Sequence, residues 1–254
     1  MCFATAVVVA LAAGPCVAAE FTLAYVGPSG GATVNGLRLG VDESNVQGEF
    51  LGVKLTLVPA GGEVPEGAIA VLADAPGKVR EIAGRAGSRP VFNLTDTNDA
   101  LRSACLPNVL HVIPSDAMLA DAVGQWSGAN PDRPATAAAW HHKAVKFAAR
   151  DLNRRFLDRF GTPMDGQAWA GWFAARAVGD TLMREPGAGP RELLAALKGA
   201  DGLDGQKGDP HSFRASGQLR QGLVFVSPDG DLLGEAPVRG APGGLDSLGN
   251  SPCE

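Results

Sequence analysis

The chain has 254 residues, 45 % of them apolar, with 34 Gly, 18 Pro and a formal net charge of −5. That apolar content excludes a disordered chain, and the length fits one large domain or two small ones. The acidic balance, with no basic run and no basic patch interleaved with aromatics, excludes a nucleic-acid binder.

Residues 1–19 read as an export leader. A short apolar run is followed by Val17-Ala18-Ala19, the small residues that signal peptidases cut after. The run is too short to span a bilayer, and no later stretch is long and apolar enough to do so. The positive residues that usually open a leader are missing, so the start of translation is expected upstream. Cys16 follows Pro15, which fits a lipid-anchor signal poorly. The expectation is a periplasmic protein, cut near Ala19, with residues 20–254 forming a single α/β domain. Cleavage removes Cys2 and Cys16. The remaining pair, Cys105 and Cys253, is then predicted to form a disulfide in an oxidising compartment.

Phe21–Gly27 is a short apolar run ending in Gly and reads as a buried strand. After the turn at residues 28–31, Thr33 or Asn35 opens a helix to about Asn45, with Val34, Leu37 and Val41 on one face. Further strands are predicted over 53–58, 68–72, 90–94 and 109–113. Helices are predicted over 78–86 and, capped by Ser115, from there to about Trp126. Strands alternating with helices at this spacing indicate a mostly parallel sheet with helices on both faces. Residues 127–134 (SGANPDRP) break the pattern. A helical tract is expected over 135–160. Thr162 then reads as the N-cap, with Pro163 at the first position, of the helix that holds Trp169, Trp172, Phe173, Ala177 and Val178. Apolar on nearly every side, residues 166–183 are expected to be the buried spine of the fold. A short helix follows over 190–198, then a loop over 201–209. Apolar runs on either side of Pro228-Asp229-Gly230 predict a C-terminal β-hairpin. The resulting division is a Rossmann-like core (20–126), closing helices (135–198), C-terminal strands (211–238) and a tail (239–254).

Three blocks carry a family resemblance. NGLRLGVDESNVQGEFLGVKLTLV (35–58) resembles the helix-then-strand of type I periplasmic substrate-binding proteins, the Leu/Ile/Val-binding group of ABC importers. PVFNLTDTNDALRSACLPNVLHVIPSD (90–116) is similar to their fourth and fifth strands. Residues 135–178, with HSFRASGQLRQGLVFVSP (211–228), look most like the branch found beside quinone (PQQ)-dependent alcohol dehydrogenases. The resemblance covers most of the chain after the leader. It departs after Trp126, where that family continues into a second αβ lobe and this chain runs directly into its late helices. A single lobe is therefore expected. Part of residues 135–160, with Trp140, Val145, Phe147, Leu152, Phe156, Leu157 and Phe160, should fold back near the carboxyl end of the sheet. The apolar rim left over is expected to be a protein-contact patch or a homodimer seam.

The resemblance places a ligand wall at the ends of strands one, three and four, where Ser29, Asp74, Thr95, Asp96 and Asp99 stand, with Ser115 after strand five. Asp and Thr at loop tips are also ordinary caps and turn residues. Asp96, Asp99 and Asp116 form one acidic group and Asp201, Asp204 and Asp209 another. Neither follows the calcium-loop pattern, and no metal is assigned. His141 and His142 are adjacent, so a helix would not bring them to one face. No nucleophile elbow, phosphate loop or zinc-protease motif is present, and neither catalysis nor a cofactor is expected. The resemblance implies a non-enzymatic binding protein that works with the membrane components of an ABC transporter linked to PQQ-dependent alcohol oxidation. Its ligand would be a small molecule or a metal. The alternative is an interaction protein that has lost its ligand and docks on a periplasmic dehydrogenase or a transporter component.

Overall fold

The computed structural model describes residues 19–61, 63–249 and 253. The leader lies outside this range apart from Ala19. Five parallel strands form the main sheet: β1 (Ala19–Val26), β2 (Val53–Pro59), β3 (Ala68–Ala73), β4 (Val91–Asn93) and β5 (Val109–His111), in the order β2-β1-β3-β4-β5. The intervening helices are α1 (Ala32–Leu51), α2 (Val79–Ala86), α3 (Asp99–Ser103) and α4 (Asp116–Ala129). All six residues of β3 are buried, as its unbroken apolar run requires when both faces are covered. Leu23, Leu72, Phe92 and Leu110 point into the larger core, and Ala24, Val71, Val91 and Val109 into a second one shared with α2. This is the α/β architecture expected from the sequence.

The larger core is built on the helix α6 (Gly166–Arg184), of which 13 residues are buried. It runs parallel to α1 with the backbones in contact. A Cβ placed on Gly36 would lie 1.8 Å from the carbonyl oxygen of Ala168, and one on Gly171 would lie 2.3 Å from that of Thr33. Both helices therefore begin at the carboxyl end of the sheet. The expected start of α6 needs correction. Asp165, not Thr162, is the N-cap, and its carboxylate accepts from the Ala168 N–H at 2.8 Å. Pro163 falls before the helix.

Residues 135–160 are not one helical tract. Thr136–Ala138 form the strand β6, and only Ala149–Phe160 form a helix, α5. Phe147 and Ala148 adopt left-handed backbone angles, which stop a helix from extending toward the N-terminus. β6 pairs antiparallel with β9 (Leu223–Val226), which pairs with β10 (Leu232–Ala236). The predicted hairpin is thus present as two strands of a three-stranded sheet. Ala-rich residues with no strand signal of their own became a strand because a distant partner edge was available, a tertiary override of local preference. Met118, Ala122 and Trp126 of α4 cover this sheet through Leu223, Phe225 and Ala236.

The remaining elements close the edges. Helix α7 (Pro190–Lys198) appears where expected. A two-stranded ribbon, β7 (Ser212–Phe213) with β8 (Leu219–Arg220), lies against β5, where the His111 N–H donates to the Gly217 carbonyl at 2.7 Å. Cys105 and Cys253 are joined in a disulfide. Arg214 donates to the carbonyls of Leu245 and Leu248 and anchors the tail.

Candidate functional site

The six residues expected to form a ligand wall do stand at the carboxyl ends of the strands, but most of their polar atoms are already engaged. Asp74 accepts from the Tyr25 hydroxyl at 2.9 Å. Burial and then this bond hold the Tyr25 hydroxyl well above its usual pKa. Asp96 accepts from the N–H groups of Gly77 and Asn98, both at 3.0 Å. Asp99 accepts from the Ala117 N–H at 3.1 Å, and Ser115 caps α4 by accepting from Met118 at 3.1 Å. Ser29 is exposed and its carbonyl accepts from Arg38. Thr95 is the exception: its hydroxyl is buried without a hydrogen-bond partner. The aspartates therefore tie one strand-end loop to the next. Asp74 also lines an open cavity of about 640 Å³ with Gly27, Ala60, Lys78 and Arg85. Among the described residues no three His, Cys, Asp or Glu side chains are grouped to hold a metal ion.

Arg102, which sequence reasoning passed over, pins this region. Its guanidinium is buried and donates to the carbonyls of Asp96, Asn98 and Ile113 and to the Gln218 side-chain oxygen. Burial pushes its pKa down to about 10, against the pull of Asp96, Asp99 and Asp116. Beside it, the His111 imidazole meets the Asn93 amide at 3.0 Å and is pushed down to about 3, first by burial and then by Arg102.

A second cavity, of about 300 Å³, opens beside the three-stranded sheet, between residues 144–149, the loop 206–209 and strands β9 and β10. Its walls include Trp140, Phe147, Leu223, Leu232 and Ala236. Trp140 stacks on Trp169 near the start of α6, so the folded-back segment sits at the carboxyl end of the sheet, as expected. The cavity's polar lining includes Lys146, Gln206, Lys207, Asp209 and Glu235, of which Lys207 is the most enclosed. The Lys207 ammonium donates to the Gln221 side-chain oxygen at 2.6 Å and to the Gly222 carbonyl at 3.2 Å, and lies 3.4 Å above the Trp169 ring. Burial holds its pKa well below the usual lysine range. Among the described residues none of its partners is a carboxylate. The Gln206 side-chain oxygen is buried and unpartnered. Phe147, Ala148 and Gln206 are three of the four non-glycine residues with left-handed φ among the described residues (51°, 67° and 56°). Each conformation costs roughly 1–2 kcal/mol. Such strain gathers at ligand clamps and switch regions.

Trp140 and Phe156 are both buried, while Val145, Phe147 and Leu157 of the same segment stay exposed. A separate exposed apolar group, Val46, Phe50 and Leu51, ends α1, with Phe50 86 % exposed.

No family model matches the sequence, and no curated protein matches it. Solved structures do match in fold. A periplasmic binding protein from Burkholderia mallei superposes with a TM-score of 0.73 at 9 % identity, covering 92 % of this chain and 98 % of that one. A branched-chain amino acid ABC transporter periplasmic ligand-binding protein from Burkholderia xenovorans gives 0.69 at 11 % identity, covering 85 % and 95 %. An ABC transporter substrate-binding protein from Desulfitobacterium hafniense gives 0.68 at 15 % identity, covering 85 % and 99 %. At these identities the likeness is one of architecture: the chain has the fold of the type I periplasmic binding proteins of ABC transporters.

Proposed function

We propose that this chain is a non-enzymatic periplasmic binding protein of an ABC transport system linked to PQQ-dependent alcohol oxidation, shortened to one lobe. The observation that carries the reading is the superposition on a periplasmic binding protein over 92 % of the chain. In support, the described residues form one parallel αβ sheet, with the later segments closed onto its carboxyl end. The PQQ link rests on the resemblance of residues 135–178 and 211–228. Export rests on the leader, cut near Ala19, and the membrane components of the transporter are the expected partners. The strand-end loops, with the unpartnered Thr95 hydroxyl, are the proposed ligand wall.

A thermal-shift screen with PQQ, short alcohols and acids, and divalent and trivalent cations tests this. A ligand bound only by the native state stabilises it by RT ln(1 + [L]/Kd), so a saturable rise in Tm is expected for one of these classes. A flat response to all of them sinks the ligand reading. One observation favours the alternative, an interaction protein docking on a dehydrogenase, on a transporter component or on a second copy of itself. The wall aspartates are engaged internally while Val46, Phe50 and Leu51 face solvent. Co-purification of a periplasmic protein, lost on Phe50→Ser, would support it.

A further inference from the structure

We propose that the cavity beside the three-stranded sheet is a binding site for a small carboxylic acid with an apolar body, anchored by Lys207. This site is separate from the strand-end wall and does not depend on the transport reading.

Three independent features converge there. The first is shape. A cavity of about 300 Å³ lies at the lower end of the range for ligand pockets, which suits a short acyl chain or a single ring. Its apolar walls, Trp140, Leu223, Leu232 and Ala236, would cover such a body.

The second is charge. Lys207 is held by an amide oxygen, a carbonyl and the face of Trp169, all neutral. The ring face and both oxygens favour the ammonium form, whereas burial opposes it. A cation buried without a counter-charge is unfavourable until an anion arrives. The Gly222 contact, at 3.2 Å, is the longer of the two and the one a carboxylate would replace. Lys146 and Glu235 pair with each other at 3.0 Å on the rim, so Glu235 does not supply the missing anion. Asp209 also lines the cavity, and its carboxylate repels a dianion such as phosphate more strongly than a monoanion.

The third is the orphaned Gln206 oxygen. Gln206 lines the cavity, the amide torsion of Gln is broad, and a half-turn would put its NH₂ group where the unpartnered oxygen now sits. A ligand carboxylate would then take one hydrogen bond from Lys207 and another from Gln206. The left-handed backbone at Phe147, Ala148 and Gln206 holds two sides of the cavity in place.

The test uses hexanoate and its neutral isostere hexanamide, with tryptophan emission as the readout because Trp140 lines the cavity and Trp169 underlies Lys207. A charge-assisted contact predicts that hexanoate binds at least about tenfold more tightly than hexanamide. Lys207→Met should erase that ratio and leave hexanamide binding within about twofold. Leu232→Phe, at a partly exposed lining position, should fill the cavity and weaken both ligands while the protein stays folded. Equal affinity for the two probes overturns the proposal, as does no saturable change with either. A hexanoate preference that survives Lys207→Met, or binding unaffected by Leu232→Phe, overturns it as well. If Lys207→Met does not fold, the comparison of probes on the wild type together with Leu232→Phe still decides. A Tm response to a strand-end ligand that persists in Leu232→Phe separates this site from the transport reading.

Discussion

Gly36→Ala tests whether the contact of α1 with α6 organises the fold. A Cβ on Gly36 would meet the Ala168 carbonyl oxygen at 1.8 Å, its carbon at 2.7 Å and its Cα at 3.0 Å. All three atoms belong to backbone, so no rotamer change relieves the clash. To reach ordinary contact the helices must separate by about 1.6 Å. That separation is felt along the seam, since Cβ atoms on Gly40 and Gly171 would also meet backbone carbonyl oxygens, at 2.6 Å and 2.3 Å. Overpacking costs about 1–3 kcal/mol, and a clash with rigid backbone belongs at the upper end. The helix propensity gained on replacing Gly returns about 0.5–1 kcal/mol. The net expectation is a loss of about 2 kcal/mol, which in a domain of this size lowers Tm by about 4–8 °C. Gly84→Ala is the control. Gly84 lies inside α2, and its Cβ would meet nothing within 4 Å. It should gain about 0.5–1 kcal/mol by the same propensity effect. Urea unfolding followed by tryptophan emission measures both. If Gly36→Ala is as stable as Gly84→Ala, the two helices are not in backbone contact and α6 is not the spine.

Two further expectations concern the whole domain. The disulfide closes a loop with a sequence separation of 148, for which chain entropy gives a ceiling of about 5 kcal/mol. Replacing Cys105 and Cys253 by Ser should lower stability by about 2–5 kcal/mol and Tm by about 5–20 °C, and a change within about 2 °C contradicts this. His111 and His211 are both pushed down to about 3, chiefly by burial, with Arg102 adding to the first and Lys207 to the second. Their native state keeps them neutral. Stability is therefore complete above the unfolded value near 6.5 and falls as the pH drops toward 3. Between pH 7.5 and 5.5 the two together should cost about 2–3 kcal/mol, read as a lower urea midpoint, and equal midpoints at both pH values would refute the assignment.

Elements with local signals were legible in the sequence. The apolar run AIAVL is β3, and α7 runs from Pro190 to Lys198 as its Pro start predicts. Helix α1 outran its expected end at Asn45 by six residues. Gly48 does not stop it: its missing side chain lets the helix lie against β2, where a Cβ would sit 2.1 Å from the Val53 carbonyl oxygen. The true stop is Gly52, in the left-handed conformation with its N–H on the Gly48 carbonyl. Asn45 is instead a strand-pairing residue, its amide bonded to both the N–H and the carbonyl of Leu55. What was not legible depends on distant partners. β6 exists because β9, nearly ninety residues later, offers it an edge. Arg102 matters because Gln218 reaches it across the fold. The positions of the strand-end aspartates were legible, but their occupation by the neighbouring loops' N–H groups was not.

Unsatisfied polar atoms separate the two candidate sites physically. Native proteins leave few buried polar groups without partners, because each one costs desolvation with nothing in return. At the strand ends that condition is largely met: Asp74, Asp96, Asp99 and Ser115 have partners, and only the Thr95 hydroxyl among the six is a buried orphan. A ligand arriving there would have to break existing bonds to make new ones. Beside the three-stranded sheet the balance is reversed. Lys207 has no counter-charge among its partners, the Gln206 oxygen has no donor, and three strained residues stand around an apolar space. A carboxylate entering there completes contacts without displacing strong ones. The proposed place for a ligand thus lies among the closing segments, against the three-stranded sheet and away from the parallel one.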